Sequence, residues 1–174
     1  MGLFDMFKKP AAPAKPEDIK VESVPANIYA PVSGEAMNME DVPDPVFASG
    51  AMGKGIVIKP EQGIIYSPVD GEVTVTTGTL HALGIMGDNG VEILIHVGID
   101  TVEMKGDGFT GFVGRGDTVK AGQALMTFDM DKIAKAGKED HVIMVVTNTD
   151  DLPNVSPVSP QHLNAGEVAV VVTQ

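Results

Sequence analysis

From Ala26 onward, apolar and polar residues alternate in short runs broken by Gly and Pro, which is the spacing of an all-β barrel or sandwich. The clearest run is VEILIHVG. Val91, Ile93, Ile95 and Val97 fall on one face of an extended chain, and Glu92, Leu94, His96 and Gly98 on the other. Just ahead of it, Asp88, Asn89 and Gly90 carry the chemistry of a tight hairpin turn. The pattern therefore folds the strand holding His81 back against the strand holding His96, so two of the chain's four histidines, fifteen residues apart, become neighbours. Helical periodicity is nearly absent. One segment, Met130 to Ala136, predicts a short helix, with Asp129 as its N-cap and Gly137 as its stop.

Two phrases recur. YAPVSGE at Tyr29 returns as YSPVDGE at Tyr66, and VKAGQAL at Val119 is answered by LNAGEVA at Leu163. Repeated strand-turn units of this kind predict a duplicated architecture, with Pro ahead of each turn and Gly34 or Gly71 within it. The β region, 26–174, is long enough for a single core of ordinary size. Residues 1–25 read as a flexible N-terminal tail, in which a Pro-rich linker follows MGLFDMFKK. As a helix, that opening segment would place Leu3, Phe4 and Phe7 on one side beside Lys8 and Lys9, the pattern of a weak contact with an anionic membrane. A disordered start is the reading that composition favours, because ordering nine residues costs about 1–2 kcal/mol each.

Composition narrows the chemistry. The chain has no cysteine, which excludes disulfide scaffolds, thiolate zinc sites and thiol catalysis. A formal charge of −12, with only twelve Lys and Arg scattered along the chain, argues against nucleic acid and for a basic protein partner. No apolar run approaches the roughly 20 residues of a membrane span, and Met1 to Lys9 lacks a secretory signal pattern. Met6 stands where an N-acylation signal would place Ser or Thr. The expected location is cytoplasmic, and peripheral to the inner face of the membrane if the tail makes its contact.

The segment LIHVGIDTVEMKGDGF resembles the active-site signature of the glucose-type enzyme IIA proteins of the bacterial phosphoenolpyruvate:sugar phosphotransferase system. MGLFD, APVSGE, EDVPDPVFA, SPVDG and TLHA resemble the same family in the same order, covering nearly the whole chain. The resemblance implies a β-sandwich of duplicated motifs. It also implies a phosphoryl relay in which His96 accepts from the phosphohistidine carrier HPr and donates to the IIB component of a sugar permease. His81 then resembles the second histidine, which stabilises the phosphoryl group, and Thr79, expected on the same strand face, is placed to orient His81. Asp44 and Asp100 resemble acids that rim the site and pair with an arginine of the carrier, although a solvated turn acid is an equal reading of Asp44. Val46, Phe47, Leu94 and Val102 resemble an apolar collar shared by both partners. Docking of the unphosphorylated protein on other transporters or enzymes through this face is implied as well. The chain departs from the family pattern at Pro45, Gly78 and Leu83, which bears on the collar's shape and partner choice. His141 and His162 match no motif and read as packing or surface residues.

An imidazole suits the task, because near neutral pH one ring nitrogen keeps a free electron pair while the other holds a proton. No cofactor is required. His81 and His96 alone are too few for an intrinsic metal site, but they would hold zinc weakly if a partner added a carboxylate. Two other readings stay open from the residues alone. One is a zinc metallopeptidase-like domain built around HVGID. The other is a biotinyl or lipoyl carrier using Lys105, although Gly106 replaces the second Met of that attachment motif.

Overall fold

The computed structural model describes residues 14–173. The strands, in chain order, are β1 (Asn27–Tyr29), β2 (Gly34–Met37), β3 (Lys54–Pro60), β4 (Ile64–Tyr66), β5 (Gly71–Thr76), β6 (Ala82–Gly87) and β7 (Glu92–Val97). They continue as β8 (Phe109–Gly111), β9 (Thr118–Val119), β10 (Ala124–Phe128), β11 (Val142–Val146), β12 (Asn154–Pro157), β13 (His162–Leu163) and β14 (Val168–Thr173). Eight of them form an antiparallel sheet in the order β13-β2-β3-β11-β7-β6-β5-β9, and the others form two three-stranded sheets, β1-β14-β12 and β4-β10-β8. The all-β sandwich of duplicated motifs expected from the sequence is the architecture observed.

The large sheet is palindromic. Matching β2 with β5 also matches β13 with β9, β3 with β6 and β11 with β7. The repeated phrases carry this symmetry and face each other. Tyr29 N–H donates to Pro68 O (2.9 Å) while Tyr66 N–H donates to Pro31 O (2.8 Å). Ala30 exchanges backbone hydrogen bonds with Gly166 and Glu167, as Ser67 does with Gly122 and Gln123. Gly122 and Gly166 stand at the tips of the matched turns with φ of 88° and 89°, a left-handed conformation that carries little cost only for glycine.

The sheet has apolar cover on both faces. Ile93, Ile95 and Val97 of β7 point into the main core with Ile56, Ile58 and Met144. On the other face, Val57, Ile143 and Val145 join Val42, Phe47 and Ile99 in a second, smaller core. Strand β11, VIMVV, is buried at every position because it lies mid-sheet between these cores, and a strand covered on both faces reads as a continuous apolar run.

Two short α-helices are present among the described residues, α1 (Pro45–Ala48) and α2 (Met130–Lys135). The second matches the sequence expectation to within one residue, with Asp129 Oδ1 accepting from Lys132 N–H at 3.1 Å. The first was not expected. Its signal is DPVFASG: Asp44 caps the N-terminus, Pro45 occupies the first helical position where no N–H is needed, and Gly50 follows the end with φ 79°. It was missed because four residues are too few for a periodic pattern.

Part of the segment 1–25, expected as a tail, is hydrogen-bonded to the domain. Asp18 Oδ1 accepts from Ala124 N–H (2.8 Å), Ile19 N–H donates to Gly122 O (2.9 Å), and Ser23 Oγ donates to Asp70 Oδ2 (2.6 Å). Residues 18–25 thus form a strap across the duplicated turns, and Ile19 and Val21 fill the space that Gly122 and Gly166 leave open. Met1 to Lys9, with the membrane-contact reading, lies outside the described residues.

Candidate functional site

The hairpin β6–β7 closes through Asp88, Asn89 and Gly90, and pairs Ala82 with His96. His81 stands one residue before β6, and its carbonyl accepts from Val97 N–H at 2.7 Å. The two imidazoles meet edge to face with ring centroids 5.1 Å apart. His96 lies on the outer face of the sheet, as its alternation with the buried Ile95 and Val97 requires.

Each ring is held from a different side. Thr79 Oγ1 lies 2.5 Å from His81 Nδ1, with Thr77 Oγ1 at 3.4 Å from the same nitrogen. The expected contact between Thr79 and His81 is therefore present, but Thr79 sits in the turn between β5 and β6 and not on a strand face. Thr77, which the sequence reading passed over, completes the clamp. His96 Nδ1 is fully buried and makes no hydrogen bond of ordinary geometry. The Gly98 backbone favours the protonated ring, which is the effect of a nearby acceptor. Nε2 of His96 is the nitrogen left toward the surface.

Burial biases both rings toward the neutral form. Burial pushes His81 below the usual histidine value, and burial followed by the neighbouring His81 does the same to His96. Asp44 and Asp100 oppose this at His96 without reversing it, which places both acids within range of the ring. Asp44 has a structural duty too, since its Oδ1 accepts from Val46 N–H at 2.9 Å and Phe47 N–H at 3.4 Å. It thus caps α1 while its charge acts on the His96 ring. Asp100 takes a left-handed φ of 58° at the start of the 3-10 turn Thr101–Met104.

Of the four residues expected to form a collar, Phe47 and Leu94 pack in the second core on the His96 side of the sheet. Phe47 is buried with its ring centroid 5.3 Å from that of His96. Val46 and Val102 are half exposed at 56% and 50%, unusual for valine and suited to a surface that another protein covers. Of the three departures, Pro45 starts α1 and Gly78 faces open space. Leu83 is a correction: it is buried in the main core on the inner face and shapes no part of the collar. His141 is buried beside the site, its carbonyl accepting from Gly98 N–H at 2.8 Å, and His162 lies at the surface with Nε2 2.7 Å from Glu61 Oε1. Lys105 is exposed at the end of the 3-10 turn. Among the described residues no group of three or more His, Cys, Asp or Glu side chains converges as a metal site, and no helix is long and apolar enough to cross a membrane.

Residues 26–152 match the family described as phosphoenolpyruvate-dependent sugar phosphotransferase system, EIIA 1. The chain is 50% identical over 123 residues to the PTS system glucose-specific EIIA component of Bacillus cereus, covering 71% of this chain and 74% of that protein. The protein of that name from Staphylococcus epidermidis is 39% identical over 166 residues, covering 95% and 97%. Among solved structures, glucose permease IIA from Mycoplasma capricolum superimposes with a TM-score of 0.77 at 32% identity, covering 84% of this chain and 95% of that one. The fold, the paired histidines and these likenesses converge: the chain belongs to the EIIA family of the phosphoenolpyruvate-dependent sugar phosphotransferase system.

Proposed function

We propose that His96 is the residue through which this phosphotransferase relays its phosphoryl group, taken from HPr and passed to the IIB component of a sugar permease. The observation that carries the assignment is the edge-to-face pair of His81 and His96, with His96 Nδ1 buried and Nε2 toward the surface. In the forward step the N–P bond of the carrier's phosphohistidine breaks while an N–P bond forms to His96 Nε2, and the carrier's ring nitrogen keeps the electron pair. Attack leaves the His96 ring cationic, with the Gly98 backbone, Asp44 and Asp100 nearby to offset the charge. With Thr79 donating to Nδ1, His81 holds its proton on Nε2 and offers it to the phosphoryl oxygens. Positioning and charge stabilisation are what phosphoryl transfer asks of a protein.

Family membership leaves the Lys105 carrier and the metallopeptidase-like reading without support. The relatives' names favour a glucose permease as the acceptor. Val46, Phe47, Leu94 and Val102 form the proposed docking surface, with Asp44 and Asp100 as its charges. Unphosphorylated docking on transporters or enzymes, and zinc bound at His81 and His96 with a partner's carboxylate, are proposed uses of the same face. Met1 to Lys9 is proposed to hold the protein weakly at an anionic membrane, and removing it should slow transfer to permease in anionic vesicles but not acceptance from soluble HPr.

Incubation with phosphoenolpyruvate, enzyme I and HPr, followed by mapping of the label, tests the assignment. His96→Ala should accept nothing. His81→Gln should accept but donate poorly. Phosphate recovered on His81 of the unaltered protein would overturn it.

A further inference from the structure

The turn after His96 is held by a group with no part in the relay described above. Thr101 is completely buried; Ser67 and His141 are the other buried polar residues among those described. Its hydroxyl donates to the carbonyl of Val97, four residues back, and its methyl lies against Gly98, where any Cβ would collide with it. Gly98 itself takes φ 82°, and its N–H is tied to His141 O at 2.8 Å, while Ile99 N–H is tied to Glu139 O at 3.0 Å. The turn is therefore pinned on one side by the strap of backbone leading into β11 and on the other by the Thr101 hydroxyl. This turn meets the buried side of the His96 ring, where Nδ1 lies out of solvent and the Gly98 backbone favours the protonated form.

We propose that Thr101 is a positioning residue of phosphoryl transfer, whose hydroxyl holds the Gly98 carbonyl against His96 Nδ1 and so decides which ring nitrogen carries the proton. An imidazole has two tautomers, and only the form protonated on Nδ1 leaves an electron pair on the outward Nε2. An acceptor fixed at Nδ1 selects that form in advance, as partner groups of ligating histidines select theirs. Without the hydroxyl, the buried Val97 carbonyl loses its donor, the turn relaxes, and the proton redistributes to Nε2, where it blocks the nucleophile. This role rests on His96 being the phosphoryl acceptor.

The test uses the full-length protein with 15N-labelled histidine. The ring-nitrogen shifts of His96 report the tautomer, and phosphoryl acceptance from HPr is timed in parallel. The unaltered protein should show the proton on Nδ1, and a proton on Nε2 would overturn the proposal without any variant. Thr101→Val keeps the shape and removes the hydroxyl. It should move the tautomer toward Nε2–H and slow acceptance roughly tenfold, the scale of one lost buried hydrogen bond. Thr101→Ser keeps the hydroxyl and should retain both properties. A folded Thr101→Val with unaltered tautomer and rate, or a Thr101→Ser as impaired as Thr101→Val, would reduce Thr101 to packing. If the label never reaches His96, the relay assignment fails, while the tautomer measurement still reads the Thr101 contact separately.

Discussion

Thr79 Oγ1 approaches His81 Nδ1 to 2.5 Å, so the ring that faces His96 is oriented by a hydroxyl from a turn and not by its own strand. Thr79→Val should leave the fold intact and let the His81 ring rotate. Acceptance on His96 should persist while donation slows by roughly tenfold or more, since a misdirected donor stabilises the transition state less. Single-turnover transfer in each direction measures this, and equal loss in both directions would assign Thr79 to the collar instead.

Both rings bind protons less readily in the folded chain than in the unfolded one. Unfolded histidine titrates near ~6.5, so the stability gained by keeping the rings neutral is intact above that pH and falls as pH drops through it toward the lower folded values. Urea midpoints at pH 7.5 and 5.5 should differ more for the unaltered protein than for the His81→Gln, His96→Gln double variant. Phosphoryl acceptance should likewise fall to half only below about pH 6.5. A half-point above that pH would contradict the neutral-ring account.

Asp44 combines a cap with a charge, and two substitutions separate them. Asp44→Asn keeps an oxygen for Val46 and Phe47 N–H and should hold stability near the original, while association with a basic carrier becomes slower and less sensitive to salt. Asp44→Ala removes both and should cost about 1 kcal/mol in addition. Stopped-flow association at low and high salt, with thermal melts, distinguishes the two contributions. Identical melts for both variants would deny the cap.

The duplicated turns predict unequal costs for equal substitutions. A Cβ at Gly122 would meet the Ile19 carbonyl oxygen, a backbone atom that cannot swing away, whereas at Gly166 it would meet the side-chain ends of Ile19 and Val21 at 3.0 and 3.1 Å. Both positions carry the left-handed strain of about 1 kcal/mol that alanine suffers there. Gly122→Ala should therefore destabilise more than Gly166→Ala by chemical denaturation. The gap should close when residues 14–25 are deleted.

The site was legible where chemistry repeats along the chain. Alternation in β7 put His96 opposite Ile95, Asn89 and Gly90 marked the turn, and Asp129 with Gly137 bounded α2. Leu83 was misread because an alternation says that two faces exist without saying which face carries the site. Thr77 and Thr101 escaped notice because a threonine's partner is set by turns that close only in three dimensions. The strap at Ile19 and Val21 was invisible for a related reason: what those side chains fill is the missing Cβ of two glycines, and no hydrophobic pattern announces an absence.

Strands β7 and β11 lie at the middle of the palindromic sheet, each hydrogen-bonded to neighbours on both sides. Segments of that kind open only with the whole domain, so amides around His96 belong to the slowest-exchanging class. A reactive group mounted there does not travel between partners by reshaping its own support. The same rigid ledge meets the donor before the reaction and the acceptor after it, and turnover is left to the speed at which one partner departs and the next arrives.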